Sequence, residues 1–279
     1  MSNTDQNEMN FLQHLEELRW HLIRSIASVL IIAIVAFLNK SFVFDVIIFS
    51  PKGADFITYQ FLCWLSVQLN AFFPTLISAD VLCIGGNIPQ LQNLNMSGQF
   101  TTHIMISVVT GFVVAFPYIF WEIWRFIKPG LMDKEKKLSR GTVFFSSFLF
   151  TTGILFGYFV IAPLSINFFS TYQVSADVAN QFTLSTYIST LTTIVLACGV
   201  LFELPIVIYF LTRAGLIYPE MLQVYRKHAV VGAFVLSAIL TPPDVFSQFL
   251  VTIPLAILYE ISIVISRRTV KKMKERAAE

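Results

Sequence analysis

Residues 186–212 read TYISTLTTIVLACGVLFELPIVIYFLT, and a single charged side chain, Glu203, lies among them. A helix crossing the hydrocarbon core of a bilayer needs about 20 mostly apolar residues, because it must satisfy its own backbone hydrogen bonds where water is absent. This stretch has that length and that character. Working outward, similar runs occur at Trp20–Leu38, at Thr102–Ile127 around Pro117, at Gly141–Ser165, at His228–Leu240, and at Phe246–Ser266 around Pro254 and Glu260. The spacing predicts an all-α integral membrane protein with six transmembrane helices. The fifth run has 13 residues, which reach only roughly 20 Å against a core of about 30 Å. The last two segments are therefore read as short, either in a thinned bilayer or as a shallow hairpin.

Composition supports this. Apolar residues make up 56% of the 279 positions, charged residues 13%, and the mean hydropathy is +0.70. Soluble domains carry about a quarter charged residues. The placement of charge says more than its total. Of the 19 Lys and Arg residues, 17 fall in alternate connecting segments (the N-terminal segment, 125–140, 213–227 and the C-terminal tail), and two, Lys40 and Lys52, fall in the others. The positive-inside rule then puts both termini in the cytoplasm. Positions 1–10 contain Asp5 and Glu8 and no Lys or Arg, so no cleaved signal is expected and the first run stays in the mature chain.

The whole of 1–279 reads as one polytopic membrane domain. Its appendages are an amphipathic N-terminal segment (9–19), an extended first outer loop (39–101) and a basic cytoplasmic tail (267–279). The outer loop holds a further apolar stretch, Phe56–Ile77, broken by Asn70 and Pro74. A seventh span there would destroy the charge alternation, so an amphipathic helix at the outer surface is the reading adopted. Cys63 and Cys83 share this loop. A disulfide and two separate thiols both fit the sequence. Cys198 sits in an apolar run as a packing residue.

Motifs for phosphate cradling, zinc hydrolysis and nucleophile elbows are absent, so no enzyme, cofactor or metal is expected. Gly153 and Gly157 form one G-x-x-x-G, a signature of close helix packing. His14, Glu17 and His21 share a face of the N-terminal segment. That spacing fits a metal in principle, but a solvated face is the ordinary reading. Between Trp121 and Lys137, aromatic and basic residues suit a membrane boundary, while Glu122, Asp133 and Glu135 among them fit either local salt pairing or a function. Glu203 lies deep in its span beside Pro205 and is a functional candidate on the cost of burying an acid. Glu260 is nearer the cytoplasmic end and reads as structural. Asp244, after Pro242 and Pro243, suits a helix cap.

Four motifs, taken together, resemble one family. They are His-Leu-Glu-Glu-Leu-Arg (14–19), Trp-Arg-Phe-Ile-Lys-Pro-Gly-Leu (124–131) with Glu135, Phe-Glu-Leu-Pro (202–205) and Leu-Thr-Pro-Pro-Asp-Val-Phe-Ser-Gln (240–248). In order, spacing and membrane placement they are similar to TatC, over roughly 11–53 and 101–268. The resemblance implies a cupped bundle of six helices in the cytoplasmic (inner) membrane. It also implies a subunit that recognises twin-arginine signal peptides at the cytoplasmic face and nucleates export of folded proteins on the proton-motive force. Its expected partners are TatA- and TatB-like single-span proteins, further copies of itself, the signal peptides and the lipid bilayer, with no nucleic acid.

Carried over by position, Glu17 and Glu135 match the carboxylates that receive the two arginines, with Arg19, Phe126 and Pro129 beside them. Glu203 matches the intramembrane acid, Pro51 the first outer loop, and Asp244 and Gln248 the outer turn. Paired carboxylates suit guanidinium groups because each accepts two parallel hydrogen bonds. The sequence departs from the family pattern in the long loop 56–100 and in Trp20-His21, which stand where a more basic pair is usual. The alternative function is a proton-coupled small-molecule secondary transporter with Glu203 as its relay.

Overall fold

The computed structural model describes residues 11–72, 83–85, 90–127, 139–175, 177–178, 180–241 and 245–278. Ten α-helices run through them. They are α1 (Phe11–Leu38), α2 (Ile57–Phe72), α3 (Gly98–Ile127), α4 (Ser139–Phe156), α5 (Ala162–Thr171), α6 (Leu184–Phe202), α7 (Leu204–Arg213), α8 (Pro219–Val224), α9 (Arg226–Leu240) and α10 (Val245–Ala278). Among the described residues no strand forms; one isolated parallel bridge joins Gln92 and Thr183. Five stretches are long and apolar enough to cross a membrane: Glu16–Leu38, Gly98–Phe126, Gly141–Thr171, Leu184–Arg213 and Ser247–Glu275. Their outer faces carry large apolar side chains in the open, such as Leu30, Ile31, Ile34 and Leu38 on α1. Lipid accepts such a surface and water does not.

The last two segments differ from each other. α9 is short, with 15 residues. The final helix is not short: α10 has 34 residues, about 51 Å at the helical rise. The sequence reading ended the helix where the apolar run ends. Arg267, Arg268, Lys271, Lys272 and Lys274 instead continue it, because long unbranched side chains favour helix in water as well as in lipid. The basic tail is thus the end of a helix, with Lys271 3.8 Å from Glu275 one turn on.

The chain packs as two compact units. In the first, α1 runs antiparallel to α3. Gly111 lets the two backbones approach: a Cβ there would lie 2.6 Å from the Val29 carbonyl and 3.0 Å from Ala33 Cβ. At one end of the pair His103 stacks on Phe37 at 4.0 Å, with its Nε2 3.1 Å from the Phe37 carbonyl. At the other end His21 meets Glu122.

The second unit holds α2 and the helices from α5 onward. The G-x-x-x-G expectation holds here. A Cβ on Gly153 would lie 2.6 Å from the Cys198 carbonyl and 2.9 Å from Gly199 Cα, so α4 and α6 touch backbone to backbone. Between α4 and α5 the helix widens to π geometry over Gly157–Ile161. Pro163 is the cause: it lacks an N–H and collides with the carbonyl four residues back, and an extra residue in the turn relieves the clash. That carbonyl belongs to Phe159, and it accepts from the Thr58 hydroxyl.

Three tyrosines then tie down the segment after α1. Tyr158 donates to the Ile47 carbonyl at 2.6 Å, Tyr187 to Ile48 at 2.8 Å, and Tyr59 to both Pro51 and Pro163 at 3.1 Å. Tyr59 is outside the spans, and burial pushes its phenol up to about 12. α2 packs by Tyr59, Leu62 and Ser66, while Ile57, Phe61 and Trp64 stay exposed, the two-faced character expected of it. Cys63 and Cys83 are disulfide-bonded, which decides between the two readings of that loop. Gly85 has φ 109°, and its Cα lies so close to the Tyr59 ring that a Cβ would sit 2.7 Å from it. Only glycine suits both conditions.

Candidate functional site

The first unit gathers the residues expected at the N-terminal motif and at the end of the second span. Glu17 and Arg19 are exposed on α1. His21, one turn beyond Glu17, binds Glu122 of α3 through Nδ1. Glu122 is 1% exposed and His21 15%. Tyr118, one turn back on α3, adds a hydrogen bond to the same carboxylate, and the Arg24 guanidinium acts on it through space. Phe126, one turn beyond Glu122 and half-buried, presents its ring edgewise to His21 at 6.1 Å. Because the helices are antiparallel, the turns beyond His21 and Glu122 lie at the same end of the pair. Glu17 and Phe126 each lie one turn from the His21–Glu122 pair on that side. Pro129 and Glu135 lie outside the described residues.

Sequence reasoning missed the pair at the centre of this end. It placed His21 on a solvated face with His14 and left Glu122 open between local salt pairing and a function. The partners are 101 residues apart, and no local period reveals such a bond. A signal was present in the flanks: Glu122 sits between Trp121 and Ile123, with Trp124 beyond, and a carboxylate in that setting needs a partner from another helix.

The second unit holds the remaining described candidates. Glu203 stands between α6 and α7 (φ −75°, ψ −5°), closing one helix and opening the next. Its carbonyl accepts from Ile206 at 2.9 Å and Val207 at 3.0 Å. Pro205 forces the break, since it cannot donate to the preceding turn. Glu203 is thus the N-cap residue of α7, and its Oε1 is buried.

Pro51 is buried in a single 3₁₀ turn, Ser50–Lys52. Gln248 of α10 reaches the Phe234 carbonyl of α9 at 3.4 Å, beside the Ser237–Thr252 hydroxyl pair at 2.7 Å. Asp244 lies outside the described residues. Glu260 pairs with Arg226 at 2.7 Å, both about half exposed, which accords with its structural reading. No group of three metal-ligating side chains occurs among the described residues.

Comparison with known proteins shows the family. The family model of the Sec-independent protein translocase protein TatC matches residues 13–254. The TatC of a Blattabacterium from Periplaneta americana is 42% identical over 96% of this chain and 98% of its own. That of Aquifex aeolicus is 36% identical over 96% and 98%, and that of Campylobacter jejuni 33% over 95% and 97%. A crystal structure of the twin-arginine translocase receptor TatC, 34% identical, covers 92% of this chain and 99% of its own with a TM-score of 0.64. None of these likenesses is to a small-solute transporter. The chain belongs to the TatC family, and it is a multi-pass, non-enzymatic membrane subunit of a twin-arginine protein translocase.

Proposed function

We propose that this subunit recognises twin-arginine signal peptides at the cytoplasmic face, with Glu17 accepting one arginine and Glu135 the other. Arg19, Phe126 and Pro129 shape the surrounding surface. The observation that carries the reading is the exposed Glu17 one turn from His21, whose ring meets Phe126 edgewise at 6.1 Å. A carboxylate beside an aromatic ring is a good receptor for a guanidinium, which takes two hydrogen bonds in its plane and stacks on its face.

In this reading the chain is one polytopic domain of the cytoplasmic membrane with both termini inside, as the charge alternation requires. It nucleates a complex with TatA- and TatB-like single-span proteins and further copies of itself, and it exports folded cargo on the proton-motive force. Glu203 serves as the intramembrane acid. Pro51, Asp244 and Gln248 serve at the outer loop and turn.

The test is site-specific photocrosslinking from position 18, where Leu18 is exposed next to Glu17. Adducts to an Arg-Arg signal peptide, lost with Lys-Lys and lost on Glu17→Ala, are the expected result. Equal crosslinking to both peptides, or full retention in the Glu17→Ala chain, would refute this recognition site.

A further inference from the structure

Glu122 is the one fully buried carboxylate among the described residues. A membrane protein does not keep an acid at such depth for packing. Apolar side chains of similar size would hold two helices together as well or better, since a buried ion pair must first overcome the loss of its water. What a hydrogen-bonded pair supplies is direction. The Gly111 contact brings α1 and α3 close, and the Phe37–His103 stack joins their far ends. Stacking and close packing both tolerate a slide along the helix axis. The bond from His21 Nδ1 to Glu122 does not, because a charge-assisted hydrogen bond weakens steeply when its angle changes.

The pair sits one turn from each of the two described groups assigned to the signal peptide. Glu17 precedes His21 by one turn, and Phe126 follows Glu122 by one turn. Any slip or rotation of α1 on α3 therefore changes the separation of the Glu17 carboxylate and the Phe126 ring. The His21 ring also fixes the Phe126 ring directly, edge to face at 6.1 Å.

We infer that His21 and Glu122 are positioning residues for signal-peptide recognition: their bond sets the register of α1 on α3 and so the spacing of Glu17 and Phe126. Neither side chain touches the peptide. The inference rests on the recognition site proposed above, and it extends that site to a bond between two elements distant in sequence.

The test uses the full chain in lipid nanodiscs and two readouts. The first, without peptide, is the distance distribution between spin labels on Leu18→Cys and Ile123→Cys, at two exposed positions. The second is the affinity for a fluorescent Arg-Arg signal peptide. His21→Gln and Glu122→Gln each broaden the distance distribution and weaken the peptide at least about tenfold, because one buried partner is left alone. The exchange His21→Glu with Glu122→His restores a narrow distribution and brings affinity back to within about threefold. His21→Lys, which keeps a nitrogen donor at the position, binds nearly as the wild type and guards against simple misfolding.

Narrow distances and wild-type affinity in both single variants would overturn the inference, and so would an exchange that fails to rescue while His21→Lys binds normally. Failure of the site itself looks different. There Glu17→Ala leaves affinity unchanged, whereas the peptide-free distances still report whether the pair sets the register.

Discussion

The Thr58 hydroxyl donates to the carbonyl of Phe159, which in an α-helix would receive the amide of residue 163. Residue 163 is proline. A side chain from α2 thus supplies a donor that the helix sequence withholds. The two substitutions should be coupled. Thr58→Val alone is expected to destabilise the chain by about 1–2 kcal/mol. In a Pro163→Ala background, where the helix regains its amide, the same change should cost about half as much or less. A double-mutant cycle on thermal unfolding in detergent measures this, and strict additivity would disprove the compensation.

Tyr59 should give the segment between α1 and α3 an alkaline limit. Its phenol titrates near 10 in an unfolded chain and about 12 in this fold. A group whose pKa rises on folding contributes fully below its unfolded value, and the contribution fades as pH climbs through the folded one. Stability is therefore expected to fall between pH 10 and about 12 on this account. Tyr59→Phe removes that component of the slope and costs about 1–2 kcal/mol at neutral pH, through the lost hydrogen bonds to Pro51 and Pro163. Unfolding curves of both chains across the alkaline range make the comparison.

Thiol counting checks the bridge in the same loop. The chain has three cysteines, of which Cys63 and Cys83 are bonded and Cys198 is free and buried. In denaturant a maleimide reagent should label one site before reduction and three after. Cys63→Ser should cost about 3 kcal/mol, the loop-closure entropy of a ring of some 20 residues. Two labels or more before reduction would contradict the bond.

Two glycines of α4 should respond oppositely to alanine. Gly153 faces backbone atoms of α6 at distances no Cβ can keep, whereas Gly141 has open space. Gly153→Ala is expected to cost about 1–3 kcal/mol through overpacking. Gly141→Ala should be neutral or stabilise by up to about 1 kcal/mol, the helix preference of alanine. Membrane levels and melting temperatures of the two variants decide.

At the α6–α7 break, Glu203→Gln keeps the shape and the helix end but removes the acid. If Glu203 serves as the intramembrane acid, export of a twin-arginine cargo should fall by at least about tenfold, with the protein level unchanged. Unchanged export would reduce Glu203 to a cap of α7.

Much of this architecture was legible in the chain because lipid enforces simple rules. Apolar runs gave the helices, and the Gly153–Gly157 spacing anticipated a close contact. The amphipathic reading of 56–77 agreed with α2. Reading failed where the cause lies outside the local pattern. Hydropathy cannot see that a helix continues into water, so α10 was cut short. Nor can it pair His21 with Glu122 across 101 residues, or link Tyr59, Tyr158 and Tyr187 to one short segment of backbone. Each tyrosine alone looks like a boundary residue. Their common target is a property of the folded chain.

The contact between α4 and α6 has a mechanical consequence. Where helices meet through side chains, rotamer changes let them shift by small amounts. At Gly153 there is no side chain to change, and its backbone meets the backbone of Cys198 and Gly199. That junction is stiff, and the two helices move together or not at all. The joint at Glu203 is different, because there the hydrogen-bond ladder is already interrupted. Bending concentrates at such a joint. In this unit, compliance therefore resides one turn beyond the stiffest contact, and the acid sits on the hinge itself.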